Sequence, residues 1–307
     1  MLATPAAELP RGEGWAFEFK WDGVRALLDV SERGARLWSR LGNEVTVAYP
    51  EVVAPAAYAE DALLDGELVT FVDGVPSFEA LQSRMHVRGV GEAKRLSRAT
   101  PVTFVVFDVL RRYGVDLTGR PYAERRATLE RWFAEEQDHY PSWTVSPAFD
   151  DGAATEAAAR QHGLEGVVAK RTSSRYRAGV RSPDWVKLRF VRSGDFAVVG
   201  WEAPAEAPTT LSSLLLAYAT EDGLVFAGKV GSGLTARNAA SLQKRLDGRD
   251  DAPLADVPPP SPGRVGHWVE PTLVVEVEFT LWTTEGRLRH PVFRRVRDDK
   301  SVEEATG

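Results

Sequence analysis

The stretch Glu18-Phe19-Lys20-Trp21-Asp22-Gly23-Val24-Arg25 decides how the rest of this chain is read. The 307-residue sequence holds seven lysines against 31 arginines, so arginine serves wherever a plain positive charge suffices. A lysine set among carboxylates and aromatic rings therefore points to a task closed to arginine. A desolvated lysine amine can lose its proton and act as a nucleophile, whereas a guanidinium stays protonated. In an extended strand side chains alternate faces, so Glu18, Lys20 and Asp22 fall on one side and Phe17, Phe19 and Trp21 on the other. Asp22-Gly23 reads as a turn into Val24-Arg25-Ala26-Leu27-Leu28, a hairpin pattern. A single lysine on an edge strand is usually no more than solvated; the remainder of the chain weighs against that here.

Length and composition set the frame. A chain of this size suggests about two domains, each able to bury a core, with the composition of a soluble globular protein. No apolar run approaches the roughly 18 residues of a membrane span. The start, Met1-Leu2-Ala3-Thr4-Pro5, has no basic segment followed by an apolar one, so no secretory signal is visible and the cytoplasm is expected. The absence of cysteine excludes disulfides and thiolate zinc sites. The five histidines, at 86, 139, 162, 267 and 290, lack metal-ligand spacing, so any metal is expected on oxygen ligands, as magnesium or manganese. A net charge of −6 argues against a general basic coat for nucleic acid. The cations are nonetheless gathered into three stretches. These are Arg84, His86, Arg88, Lys94, Arg95 and Arg98; then Lys170 to Arg192; then Arg287 to Lys300. In an acidic protein this pattern suggests local phosphate contacts, although each stretch taken alone also suits a solvated face.

Residues 1–192 are expected to mix elements. Strands are predicted at 15–21, 24–30, 35–39, 63–72, 102–110, 143–147, 166–170 and 184–190, with helices at 121–136 and 153–162. Connections of hairpin or irregular type predict α+β architecture with largely antiparallel sheets. From 193 to 307 short strands dominate, at 196–201, 213–220, 224–230 and 273–281, with one helix at 235–246 and Pro-rich loops at 203–208 and 258–263. About five strands and a single helix suit a small OB-type β-barrel.

Further segments place polar groups on one strand face and apolar ones on the other. They are Leu64-Asp65-Gly66-Glu67, Leu164-Glu165-Gly166-Val167-Val168-Ala169-Lys170, Trp185-Val186-Lys187-Leu188-Arg189, Ser39-Arg40-Leu41-Gly42-Asn43 and Arg297-Asp298-Asp299-Lys300. Each alone also fits a strand ion pair or a basic edge that resists aggregation. Taken in order, with Phe107-Asp108-Val109-Leu110, they resemble the motifs of the covalent nucleotidyltransferases and, among them, the ATP-dependent DNA ligases. Lys20-Trp21-Asp22-Gly23-Val24-Arg25 fits KxDGxR, and Arg297-Asp298-Asp299-Lys300 fits the closing RxDK. Phe19 to Gly23 and Arg289-His290-Pro291-Val292-Phe293 look like the ligase module of bacterial ligase D, the end-joining type. The resemblance covers nearly the whole chain.

That resemblance implies an ATP-grasp-like nucleotidyltransferase domain followed by an OB-fold barrel. It also implies an enzyme that seals 5′-phosphate/3′-hydroxyl nicks through a lysyl-AMP on Lys20. Asp22, Lys187 and Arg189 would complete the catalytic group, and Glu67 and Glu165 would hold the metal. Glu18, Arg25, Arg40, Glu67, Phe107, Lys170, Arg297 and Lys300 would bind ATP. Within that set Arg25 and Glu67 would meet the ribose, Phe107 would stack on adenine, and Arg297 and Lys300 would orient pyrophosphate beneath a mobile barrel. Arg189 stands where the family usually has lysine. The implied setting is bacterial, monomeric and nucleoid-associated, acting on nicked or broken duplex DNA with a Ku-type end-binding protein and polymerase or nuclease modules as partners. An RNA ligase, a GTP-using capping enzyme and a catalytically silent nucleic-acid-binding module remain as alternatives. The NAD-dependent ligases need a cysteine zinc module that this chain cannot build.

Overall fold

The expected hairpin at Asp22-Gly23 is instead a crossover between two sheets. In the computed structural model, which describes residues 1–307, the Trp15–Lys20 strand pairs with Gly166–Arg171 and Ala148–Phe149. The Val24–Ser31 strand pairs with Ala62–Val69 and Gly34–Ser39 in a separate sheet. Gly23 is required by close approach and not by a hairpin turn. A Cβ there would lie 2.2 Å from the Leu68 carbonyl oxygen and 2.9 Å from Cγ of Glu67. The crossover thus lies directly on the strand that carries Glu67, and Lys20 ends its own strand immediately before it.

The chain divides into two compact units, Met1–Phe190 and Val191–Gly307. The first unit is α+β. Its first sheet runs in the order Leu2–Ala6, Arg181–Arg189, Gly166–Arg171, Trp15–Lys20, Ala148–Phe149. Its second runs Trp143–Val145, Thr103–Arg112, Ala62–Val69, Val24–Ser31, Gly34–Ser39. Pairing is antiparallel except where Leu2–Ala6 joins Arg181–Arg189 and Trp143–Val145 joins Thr103–Arg112. One face of the first sheet buries Phe17, Val167 and Ala169 against Ala159 of the Gly152–Gln161 helix. The second sheet buries Leu28, Leu64, Leu68, Phe104 and Val106 with Leu129, Trp132 and Phe133 of the Tyr122–Glu136 helix. A third cluster, with Met1, Leu110, Tyr176 and Trp185 packed beside Leu27, Leu63 and Phe107, joins the sheets across their facing sides.

Burial is also ionic. Arg125 and Asp108 are fully buried and pair through two hydrogen bonds of 2.8 Å, fastening the Tyr122–Glu136 helix to the Thr103–Arg112 strand. Arg84 is equally buried, bound to Glu51 and to the carbonyls of Ala48 and Thr100. It is a clamp, so it leaves the basic stretch predicted to meet phosphates. Two helices that the sequence did not announce, Phe78–Gln82 and Val90–Ala99, surround it. The strand expected at 63–72 ends at Val69; Phe71–Val72 pairs with Val75–Pro76 in a small separate hairpin.

In the second unit the Arg192–Pro204 strand changes partners along its length. Residues 192–197 pair with Val274–Phe279, and 200–204 pair with Arg264–Val269. Ser213–Thr220 and Gly223–Val230 extend one side, and Val292–Val296 joins Val274–Phe279. This curled seven-stranded sheet forms an OB-type barrel around Phe196, Val198, Leu214, Leu216, Val275 and Val277. Arg264–Val269 and Val292–Val296 had no apolar run to mark them. The expected helix is present as Ala236–Gln243, opened by a Thr235/Asn238 capping box. No helix is long and apolar enough to cross a membrane.

Candidate active site

Strand alternation sets the polar face of the first sheet. Lys20 lies opposite Gly166, which lies opposite Arg189; Glu18 lies opposite Val168, which lies opposite Lys187. Gly166 is needed because a Cβ there would meet the Leu188 carbonyl oxygen at 2.0 Å. The tight pairing sets Glu165 at the mouth of the face. Its carboxylate receives a hydrogen bond from the Lys20 amine on one oxygen and an Arg189 contact of 2.8 Å on the other. Lys187 completes a group of three cations, and burial, with Arg189 and Lys20 nearby, lowers its pKa. Two cations paired with one carboxylate and a third beside them give this face a net positive charge suited to an anionic ligand.

Glu67 faces this group from the second sheet. Burial pushes its pKa up to about 8 against the pull of Lys20 and Arg25, with Glu165 and Asp65 adding repulsion. The group should therefore be largely neutral in the metal-free protein at neutral pH. Its stabilising contribution is intact below the ordinary value of 4.5 and is lost as pH rises through about 8. Glu67→Gln removes that dependence. Its stability gain over the parent should grow from pH 5 to pH 8.5, towards a ceiling of about 4–5 kcal/mol. Metal-free thermal unfolding at both pH values checks this, and a gain independent of pH would remove burial as the cause.

Behind this cluster of cations lies a box around Lys170. Its amine is 2.5 Å from Glu18 Oε1, donates to the Phe107 carbonyl at 3.0 Å, and sits 4.5–5.0 Å from the rings of Phe107, Tyr122 and Trp185. Tyr122 donates to Glu18 Oε1 at 2.5 Å. Desolvation lowers the Lys170 pKa. Lys170 therefore organises the walls of the cleft.

The expected residues are distributed unevenly. Lys20, Glu67, Glu165, Lys187 and Arg189 come together, and Glu18, Lys170 and Phe107 form the adjoining box. The Phe107 ring, expected to stack on a base, makes an edge contact with Trp185 and carries the Lys170 and Arg25 cations. Arg25, expected at a ribose, is committed to Asp65 through bonds of 2.9 and 2.6 Å, to the Met1 carbonyl and to Tyr176. Asp22 opens the crossover, and Arg40 is exposed just beyond Gly34–Ser39. Arg297 and Lys300 belong to the second unit. There Arg297 binds Asp195 at 2.9 Å and Asp299 at 2.8 Å, and Lys300 binds Asp195 at 2.5 Å. Sequence reasoning assigned no role to Asp65, Tyr122, Tyr176 or Asp195. Asp65 was visible as a charge in an apolar strand, whereas the two tyrosines carry no local signal.

Comparison with known proteins points to one family. The family model described as ATP dependent DNA ligase domain matches residues 1–189, and that of the ATP dependent DNA ligase C terminal region matches 207–300. The multifunctional non-homologous end joining DNA repair protein LigD of Mycobacterium tuberculosis is 39% identical over 99% of this chain. That alignment takes in 39% of LigD, so the chain spans about two fifths of the length of this relative. DNA ligase C of the same organism is 31% identical, with 98% of this chain and 90% of that protein aligned. A solved structure of mycobacterial DNA ligase D complexed with ATP and MES is 38% identical, covers 99% of this chain and 98% of its own, and superposes with a TM-score of 0.54. With family matches across both units and similarity to these proteins along nearly the whole of this chain, the chain belongs to the ATP-dependent DNA ligases of the LigD type.

Proposed function

We propose that this chain seals 5′-phosphate/3′-hydroxyl breaks in duplex DNA, using ATP, within bacterial DNA repair by end joining. The observation that carries the reading is the meeting of Lys20, Glu165, Glu67, Lys187 and Arg189 where the chain crosses between sheets. In the first step the neutral Lys20 amine attacks the α-phosphorus of ATP. The bond from that phosphorus to the bridging oxygen breaks, pyrophosphate leaves, and the nitrogen sheds a proton to give lysyl-AMP. The DNA 5′-phosphate then takes the adenylyl group from the nitrogen, and the 3′-hydroxyl displaces AMP to close the strand.

The geometry supports a division of labour. Lys187 and Arg189 neutralise phosphate oxygens, while Glu165 holds the Lys20 amine in position before attack. Charge neutralisation and positioning are the main demands of phosphoryl transfer. No group of three or more histidine or carboxylate side chains is placed to cage a metal. Two carboxylates do fit magnesium or manganese, which bind through one or two protein oxygens together with substrate phosphates. Glu165 and Glu67 would hold the ion, and its contribution when bound is further neutralisation of phosphate charge.

The test is transfer of label from α-labelled ATP to protein, followed by sealing of nicked DNA, with GTP and nicked RNA as comparisons. Transfer from GTP in place of ATP, or sealing of RNA alone, would overturn the assignment. For Arg297 the proposed role is limited to the first step. Arg297→Ala should slow adenylation by roughly tenfold or more, a loss of about 1.4 kcal/mol of transition-state stabilisation, while sparing sealing of pre-adenylated nicks. Equal losses in the two assays would remove Arg297 from that step.

A further inference from the structure

One basic stretch is left over once the site is assembled. The second sheet has two ends. Strand pairs Val24↔Leu68 and Val69↔Thr103 mark one, beside Gly23 and Glu67; Ser31↔Gly34 marks the other. Residues 70–102 leave and return at the first end, so this whole excursion emerges where the Lys20 crossover lies. Trp21, the residue after the nucleophile, touches Phe71 of the excursion with ring centroids 6.1 Å apart.

The excursion stands on a rigid base. Arg84 ties Glu51, the Ala48 carbonyl and the Thr100 carbonyl together, with nothing of Arg84 exposed. On that base the Val90–Ala99 helix buries Ala93 and turns outward a shallow hollow lined by Gly91, Lys94, Arg95, Arg98 and Ala99. Lys94, Arg95, Arg98 and the preceding Arg88 are all exposed. None of the four lies within ion-pair distance of a carboxylate, in contrast to Arg84 before them and Arg111 after them. The helix carries one acid, Glu92, in its first turn. In a chain of net charge −6, four unmatched cations on one firmly seated element form a local positive field.

We infer that the outward face of the Val90–Ala99 helix is a docking surface for the phosphate backbone of the duplex on which Lys20 acts. The inference rests on the ligase reading. Its occupant is a polyanion because four exposed cations share the element with a single acid, Glu92. Backbone contacts of this kind fix register without reading sequence, which suits an enzyme that must accept any break.

The experiment uses the full chain and a nicked duplex oligonucleotide, with binding measured by anisotropy across a salt series. The variant carries Lys94→Gln, Arg95→Gln and Arg98→Gln; a control carries Arg33→Gln and Arg36→Gln, exposed cations at the opposite end of the sheet. The triple variant should bind roughly tenfold or more weakly at physiological salt, and its log–log salt slope should fall by about 2–3. The control should keep the affinity and slope of the parent. Formation of lysyl-AMP from ATP without DNA should stay within about twofold of the parent in every protein, since these cations act on the duplex. An unchanged slope in the triple variant, or an equal loss in the control, overturns the inference while leaving adenylation and the ligase reading intact. Failure of the parent chain to adenylate would instead overturn the ligase reading. Should the triple variant fold poorly, Lys94→Gln and Arg98→Gln singly should each lower the slope by about one, and no change in either overturns the inference.

Discussion

Lys20→Ala should leave no protein-bound label after incubation with α-labelled ATP and magnesium, a fall of roughly 10⁴-fold or more, equal to about 5 kcal/mol of barrier. The reason lies in the surroundings of Lys20. Its amine is bonded to Glu165 and lies near Glu67, Lys187 and Arg189, at the point where the chain crosses between sheets. Lys20→Arg should fail as completely, because a guanidinium remains charged and has no free lone pair at neutral pH. Sealing of a nick that already carries AMP should survive in both variants to a much greater extent, since that step needs no lysine nucleophile. A labelled band persisting in either variant on a denaturing gel would move the chemistry to another residue. Loss of the pre-adenylated reaction to the same degree would show that Lys20 supports the site structurally and not as nucleophile.

Arg125→Met should lower stability by about 3–5 kcal/mol, or roughly 6–20 °C in midpoint for a unit of this size. Arg125 and Asp108 are both wholly buried, and Arg125 also satisfies the Arg120 and Ser174 carbonyls. Desolvation already raises the Asp108 pKa, so loss of its partner leaves a carboxyl that must either take a proton or remain charged in apolar surroundings. Asp108→Leu combined with Arg125→Met removes both charges and should recover most of the loss, as apolar replacements of buried pairs commonly do. Differential scanning calorimetry of the single and double variants decides the matter. If the double variant is as unstable as the single, packing and the two carbonyl contacts matter more than the unpaired charge.

The sequence made the site legible because phosphoryl-transfer chemistry needs particular residue types on one strand face, and strand alternation is a short-range pattern. Alternation put Lys187 and Arg189 on one strand face, and the resemblance to the ligase motifs joined Lys20 and Glu165 to them. The crossover was not legible. Asp22-Gly23 spells a turn, yet the glycine answers to Leu68 and Glu67, residues more than forty positions away. Arg84 was misread for a similar reason. Its charge is local information, whereas its burial depends on Glu51 and on the carbonyls of Ala48 and Thr100, partners that lie far from it in sequence. Arg25 was assigned to a ligand from its motif, and the partners it has within the chain, Asp65 and Tyr176, come from distant positions. In each case the missing information was a long-range contact.

The aromatic enclosure of Lys170 has a practical side. With only seven lysines in the chain and this one 2% exposed, acylating reagents will reach its amine only when the enclosure opens. The extent of its modification over time, set against that of exposed Lys94 and read by peptide mass mapping, therefore becomes a clock for the breathing of the cleft wall, obtained without introducing any foreign probe.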